Sequence, residues 1–204
     1  VPPMVRIAGQ LIAVANEPAL AGEKAQEMIL ALVTPQQRDL LLTNREVDFS
    51  YALSSGVRFR VNAYFEKGRL AAALRLIPVK IKTIEELRLP AVCHSLTKLK
   101  QGLVLVTGPT GSGKSSTLAA MIEEINLARA EHIVTIEDPI EFLYFPKKSI
   151  ISQREMHGDT HSWMVALRSV LREDPNVVLV GEMRDFETIA AAITVAETGH
   201  VVFA

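Results

Sequence analysis

The sequence is poor in several features that would commit it to a class of protein. It has a single cysteine, Cys93, which excludes a disulfide framework and a cysteine-rich zinc site within these residues and makes a reducing compartment the simple reading. No apolar run approaches the roughly eighteen residues of a membrane-spanning helix, and no signal peptide is visible around the opening VPPMV. Positive charge is not in excess either: 22 Lys and Arg stand against 23 Asp and Glu. That balance argues against a nucleic-acid coat or channel, so no nucleic-acid partner is expected. Internal repeats and low-complexity segments are absent. What remains is a chain of 204 residues, 49% hydrophobic and 22% charged, able to build a real core as one large or two small domains. A soluble, cytoplasmic protein is the expectation. The closing GHVVFA reads as a strand cut before its loop, so the sequence is expected to be part of a longer chain.

The rhythm of the chain changes near Lys98. In residues 1–97, AGEKAQEMILALV reads as a helix. TPQQRDLLL starts another, with Thr34 as N-cap, Pro35 at the first helical position and Gln37 closing a capping box. EVDFSYAL alternates as a strand, SSG turns the chain at residues 54–56, and a hairpin follows. These elements predict a small α+β domain, ending in a connector, IPVKIKTIEELRLPAVCHSLTKLK, with a short capped helix at Thr83 and Glu86. In residues 98–204, GLVLVTG, HIVTIED, NVVLVG and HVVFA read as strands that alternate with helices over GKSSTLAAMIEEINLA, SWMVALRSVL and DFETIAAAITVAET. That order predicts an α/β layer with a mainly parallel sheet.

The hairpin at residues 58–75, RFRVNAYFEKGRLAAALR, has an unusual consequence. Phe59, Val61, Ala63 and Phe65 share one face, and Leu70, Ala72 and Leu74 can face the same way. A two-residue turn at Lys67-Gly68 pairs Glu66 with Arg69 and sets Arg60 directly opposite Arg75. Like charges across a ladder repel, and two arginines on one polar face suggest a missing anion.

GPTGSGKS, residues 108–115, satisfies G-x-x-x-x-G-K-[ST] at every specified position. Gly108, Pro109, Thr110, Gly111, Ser112 and Gly113 form a loop whose backbone N–H groups wrap phosphates at the positive end of the following helix, where Ser116 also lies. Lys114 reaches the β and γ phosphates of ATP, and Ser115 holds Mg²⁺. Chance gives such a match in about one chain of this size in a hundred, and the strand before and helix after it lower those odds. NVVLVGE ends an apolar strand in Glu182, placed to polarise the attacking water or to hold Mg²⁺ through a water. The bland alternative is a surface carboxylate at a strand end. Gly181 stands where many P-loop enzymes carry an aspartate. TIEDPIE gathers Glu137, Asp138 and Glu141 at the end of a second strand, either as a support or second base for the metal-bound water or as an ordinary turn capped by Asp138. His157 and His161 lie four apart, with no third ligand evident for zinc. His200 alone reads as an ordinary histidine, and Arg168 and Arg172 as a solvated face paired with Glu173 or Asp174.

Taken together, GPTGSGKSSTLAAM, TIEDPIEF, LREDPNVVLVGEMRDFETI and AETGHVVFA resemble the Walker A, Asp box, Walker B and His box of the type II/IV secretion ATPases. PPMVRI, EVDFSYAL and RFRVNAYF are most similar to the branch that drives type IV pilus retraction and twitching motility. The resemblance implies a PAS-like first domain, a RecA-like ATPase domain and a homohexameric ring at the cytoplasmic face of the inner membrane, working on a pilus platform protein. It implies catalytic roles for Lys114, Glu137, Glu182 and the His-box residue His200, with Arg60 and Arg75 approaching the nucleotide phosphates. Pilus-extension or type II secretion ATPases are the alternative within the superfamily. A nucleotide-gated scaffold with little turnover and a RecA-like nucleic-acid motor are the alternatives outside it.

Overall fold

The computed structural model describes residues 1–78 and 80–204; Val79, in the predicted connector, lies outside them. The chain forms two compact units, Val1–Leu76 and Ile77–Ala204.

The first unit opens with a hairpin of β1 (Met4–Ile7) and β2 (Gln10–Ala13), which the sequence did not signal. Two helices follow, α1 (Gly22–Leu30) and α2 (Pro35–Asn44), and then β3 (Glu46–Ala52), β4 (Arg58–Glu66) and β5 (Arg69–Leu76) as an antiparallel sheet in that order. The capping box at α2 forms as expected. The Gln37 N–H donates to Thr34 Oγ1 at 3.3 Å, and the Thr34 N–H donates to Gln37 Oε1 at 2.9 Å. The helix ends at Arg45, in a left-handed conformation (φ 68°), with its guanidinium 4.8 Å from the Phe65 ring centre. Val61, Ala63 and Leu70 face inward with Ile29, Leu41 and Phe49 to form the core.

The β4–β5 register is the expected one. Lys67 and Gly68 both take positive φ, 51° and 77°, as a two-residue turn matching the strand twist requires. Glu66 pairs with Arg69, and Arg60 stands directly opposite Arg75.

The second unit begins earlier than the sequence suggested. Its division from the first falls after Leu76, not near Lys98, because the connector is part of its core: Ile84 and Cys93 are buried with Val104, Leu118 and Ile122. The capping box of Thr83 and Glu86 is present, at 2.9 and 3.1 Å, but only one turn follows it. Arg88 enters the left-handed region at φ 55°, and the Leu89 N–H closes back on Ile84 O. A further short helix, α3 (Val92–Leu96), was not signalled.

Beyond it come β6 (Gly102–Val104), α4 (Lys114–Ala128), β7 (His132–Glu137), β8 (Ile150–Glu155), α5 (Trp163–Val170), β9 (Val177–Val180), α6 (Phe186–Glu197) and β10 (Val201–Phe203). The five strands lie in the order β6-β10-β9-β7-β8, and every pairing is parallel. Both faces are covered, as all-parallel sheets require. Val177 and Leu179 pack with α4 on one side, while Val178 and Val180 pack with α5 and α6 on the other. This is an α/β fold, and its C-terminal strand ends collect on one edge the loops that carry the sequence motifs.

Candidate active site

The loop between β6 and α4 is the Gly-rich motif. Gly108, Gly111 and Gly113 take φ of 154°, 80° and 95°, which side-chain-bearing residues rarely adopt. A Cβ on Gly108 would sit 2.9 Å from Ser112 Oγ, a hydroxyl that can rotate away, so the reason for glycine there is its φ rather than that contact. Gly113 is the N-cap of α4, and no side chain caps the helix. The first-turn N–H groups, which have no intrahelical acceptor, therefore stay available to an anion. Lys114 bends back over this opening, donating from Nζ to Gly108 O at 2.8 Å and Pro109 O at 3.0 Å.

Next to the loop lies a pocket of about 70 Å³ whose wall includes Ser115, Glu137, Glu141, Tyr144, Gly181 and Glu182. Glu137, the last residue of β7, is buried. Its Oε1 accepts from Thr135 Oγ1 at 2.7 Å and from Gln153 Nε2 at 3.2 Å. Its Oε2 accepts from the Glu141 N–H at 3.3 Å. Burial pushes the Glu137 carboxyl above its ordinary range, against those three hydrogen bonds, which pull it down. Burial, and then the charges of Glu137 and Glu123, push the Tyr144 phenol well above its usual value.

Gly181 has a steric reason to be glycine. A Cβ there would lie 3.2 Å from Glu137 Cα and 3.3 Å from Ile136 O, while its N–H donates to Ile136 O at 2.8 Å. The next residue, Glu182, is half-buried and paired with the exposed Arg184 at 2.7 Å. Among the described residues no three His, Cys, Asp or Glu side chains gather to cage a metal unaided. The Ser115 hydroxyl and Glu182 carboxylate in one pocket are hard oxygen donors, which suit a Mg²⁺ ion that keeps phosphate and water oxygens as its other ligands.

The structure thus brings Lys114, Ser115, Glu137 and Glu182 to one sheet edge. His200 is not brought there. It precedes β10, and its carbonyl accepts from the Gly102 N–H at the start of β6, so it lies at the opposite edge of the sheet, where Nδ1 meets Thr198 Oγ1 and Val195 O. Arg168 and Arg172 are exposed, but Glu173 pairs instead with Arg154 at 2.6 Å. His157 is exposed and 3.8 Å from Asp138. Arg60 and Arg75 belong to the first unit, where neither has an acidic partner among the described residues. Three contributors were missed. Arg184 sits two residues from Glu182, and Thr135 two residues before Glu137 on the same strand face; both spacings were readable. Gln153 carried no signal, because it depends on β8.

Residues 72–204 match the family model described as "Type II/IV secretion system protein". The chain belongs to this family. It is 50% identical over 201 residues to the twitching motility protein of Neisseria gonorrhoeae, covering 98% of this chain and 54% of that protein. It is 48% identical over 202 residues to the type IV pilus retraction ATPase PilT of Pseudomonas aeruginosa, covering 99% and 58%. The crystal structure of the pilus retraction motor PilT with bound ADP superposes with a TM-score of 0.95 at 46% identity, over 99% of this chain and 59% of that one. This secretion-family chain therefore spans little more than half the length of the relatives it matches.

Proposed function

We propose that the protein is an ATP-hydrolysing motor of the secretion family, converting ATP and water to ADP and phosphate to drive type IV pilus retraction. The observation that carries this reading is the likeness, over nearly the whole chain, to a retraction motor solved with ADP. In this reading the loop 108–113 and the first turn of α4 cradle the phosphates, and Lys114 neutralises the charge that develops on the transferred group. Glu182 orients the attacking water, with Glu137 behind it as a second carboxylate. Ser115 and Glu182 are the residues that would hold a Mg²⁺ ion, which would neutralise charge at the phosphate oxygens when bound. Arg60 and Arg75, unpaired in their own sheet, complete the charge on the phosphoryl group, so that the anion relieves their repulsion. His200, far from this edge within the chain, has no step here. The working form is a homohexameric ring, peripheral at the cytoplasmic face of the inner membrane and acting on the pilus platform protein.

ATP turnover per subunit, measured against concentration in the full-length protein, tests the proposal. A rate that climbs steeply and then levels supports a ring motor. Bound nucleotide without turnover at any concentration overturns it in favour of a scaffold. Arg60→Ala and Arg75→Ala are expected to slow hydrolysis far more than they weaken ATP binding; equal losses in both would remove the arginines from the mechanism.

A further inference from the structure

We propose that Gln153 positions the Glu137 carboxyl, tying it to the Phe142–Tyr144 wall of the pocket. The inference rests on the reading of this pocket as the site of hydrolysis. Gln153 lies on β8 directly opposite Thr135 of β7, diagonal to Glu137 and on the same face of the sheet. Its amide nitrogen donates to Glu137 Oε1 at 3.2 Å and to Phe142 O at 2.9 Å. Its carbonyl accepts from the Tyr144 N–H at 2.9 Å. The orientation of the amide follows from these partners, since exchanging N and O would set a carbonyl against Phe142 O and a donor against the Tyr144 N–H.

Both donors of this one side chain are thus committed, one to a carboxylate and one to a backbone segment, and both targets line the pocket. Gln153 itself stands behind that wall. Thr135 secures the same carboxylate oxygen at 2.7 Å, so Oε1 is held by two side chains. Oε2, whose only contact among the described residues is the longer one from the Glu141 N–H at 3.3 Å, is the freer oxygen. A shift of the 142–144 wall is transmitted to the carboxyl through Gln153, and reactive geometry is sensitive to displacements of that size.

The alternative is that Gln153 merely satisfies the backbone of Phe142 and Tyr144. A pair exchange in the full-length protein separates the two. Gln153→Glu keeps the acceptor for Tyr144 but turns the donor to Glu137 into a like charge. Glu137→Gln combined with Gln153→Glu restores a donor–acceptor pair between the two positions with the carboxylate on the wrong strand. Gln153→Glu is expected to lower kcat by about tenfold or more while affinity for the fluorescent analogue mant-ADP stays within about twofold. It is also expected to lower the melting midpoint, and the double variant regains at least half of that lost stability without regaining turnover. Turnover of Gln153→Glu near the wild-type rate, or a double variant no more stable than the summed single losses, overturns the proposal. Should Gln153→Glu not fold, Gln153→Met is measured instead. The same kcat-only loss supports the proposal, and equal losses of kcat and nucleotide affinity refute it. If the wild type itself turns over no ATP, the hydrolysis reading fails, while the melting cycle still decides whether Gln153 and Glu137 are coupled.

Discussion

Replacing Gly181 by alanine would put a methyl carbon 3.2 Å from Glu137 Cα, 3.3 Å from Ile136 O and 3.5 Å from Glu137 Cβ. Two of those contacts are with backbone of β7, a strand held on both sides by parallel pairing to β9 and β8, so neither neighbour can swing away as a flexible side chain would. Overpacking of this kind costs about 1–3 kcal/mol. Gly181 is not among the glycines with positive φ, so alanine also stiffens the unfolded chain and returns about 0.4–1 kcal/mol. The net expectation is a loss centred on about 1.3 kcal/mol, or about 3–5 °C in the melting midpoint of a chain this size. The same few tenths of an ångström must be taken up by Glu137, so turnover is expected to fall more than nucleotide affinity does. Thermal melting monitored by circular dichroism and steady-state ATP turnover measure the two effects. A Gly181→Ala protein that melts at or above the wild-type temperature with unchanged kcat would refute the steric account of this glycine.

The remaining predictions concern the loop and the sheet's far helix. Lys114→Ala removes a side chain whose only hydrogen bonds among the described residues are to Gly108 O and Pro109 O. It should therefore leave the melting midpoint nearly unchanged while turnover drops by about a hundredfold or more. Asp185 caps α6 by accepting from the Thr188 N–H at 2.7 Å, and that hydrogen bond holds its carboxyl below the ordinary aspartate range. A depressed native value means that its contribution is present above the unfolded-state value and is lost as pH falls through the lower, native one. Asp185→Asn, which keeps an acceptor but cannot titrate, should accordingly flatten the acid end of the stability profile measured by melting across pH 2–5. An unchanged acid profile would remove Asp185 from that dependence.

Local chemistry made most of the fold legible. The capping box at Thr34, the positive-φ turn at Lys67-Gly68 and the alternation along β4 each fix geometry within a few residues, and the Arg60–Arg75 pairing followed from them. The parallel strands were readable as short apolar runs because both faces of that sheet are buried. The strand β8, IISQRE, escaped notice since it lies at the sheet edge, half-exposed and carrying Gln153, Arg154 and Glu155. The connector was misplaced for a different reason. Its prolines and charges look like a linker, and only packing shows that Ile84 and Cys93 are core. Of the site, the phosphate loop and the two acids were legible because each ends a strand on the same edge. His200 reads from its own surroundings as an ordinary histidine, and the family resemblance alone gave it a catalytic role; it begins β10, and in a parallel sheet the start and the end of a strand lie on opposite edges.

Gly181 and the buried Glu137 are two aspects of one arrangement. An acid at position 181 would project from the end of β9 into the space that Glu137 approaches from β7, and the two could not share it. With glycine at 181 the neighbouring strand comes close, and a carboxylate enters the pocket from one strand over. Burial raises the cost of that charge, and Thr135, Gln153 and the Glu141 N–H offset it with three hydrogen bonds. A carboxylate held by three donors has less freedom than one on a strand-end loop such as Glu182, whose partner among the described residues is the exposed Arg184. The two acids are therefore suited to different work. Glu182 can move together with its exposed partner, whereas Glu137 offers a fixed reference to which the pocket wall is fastened.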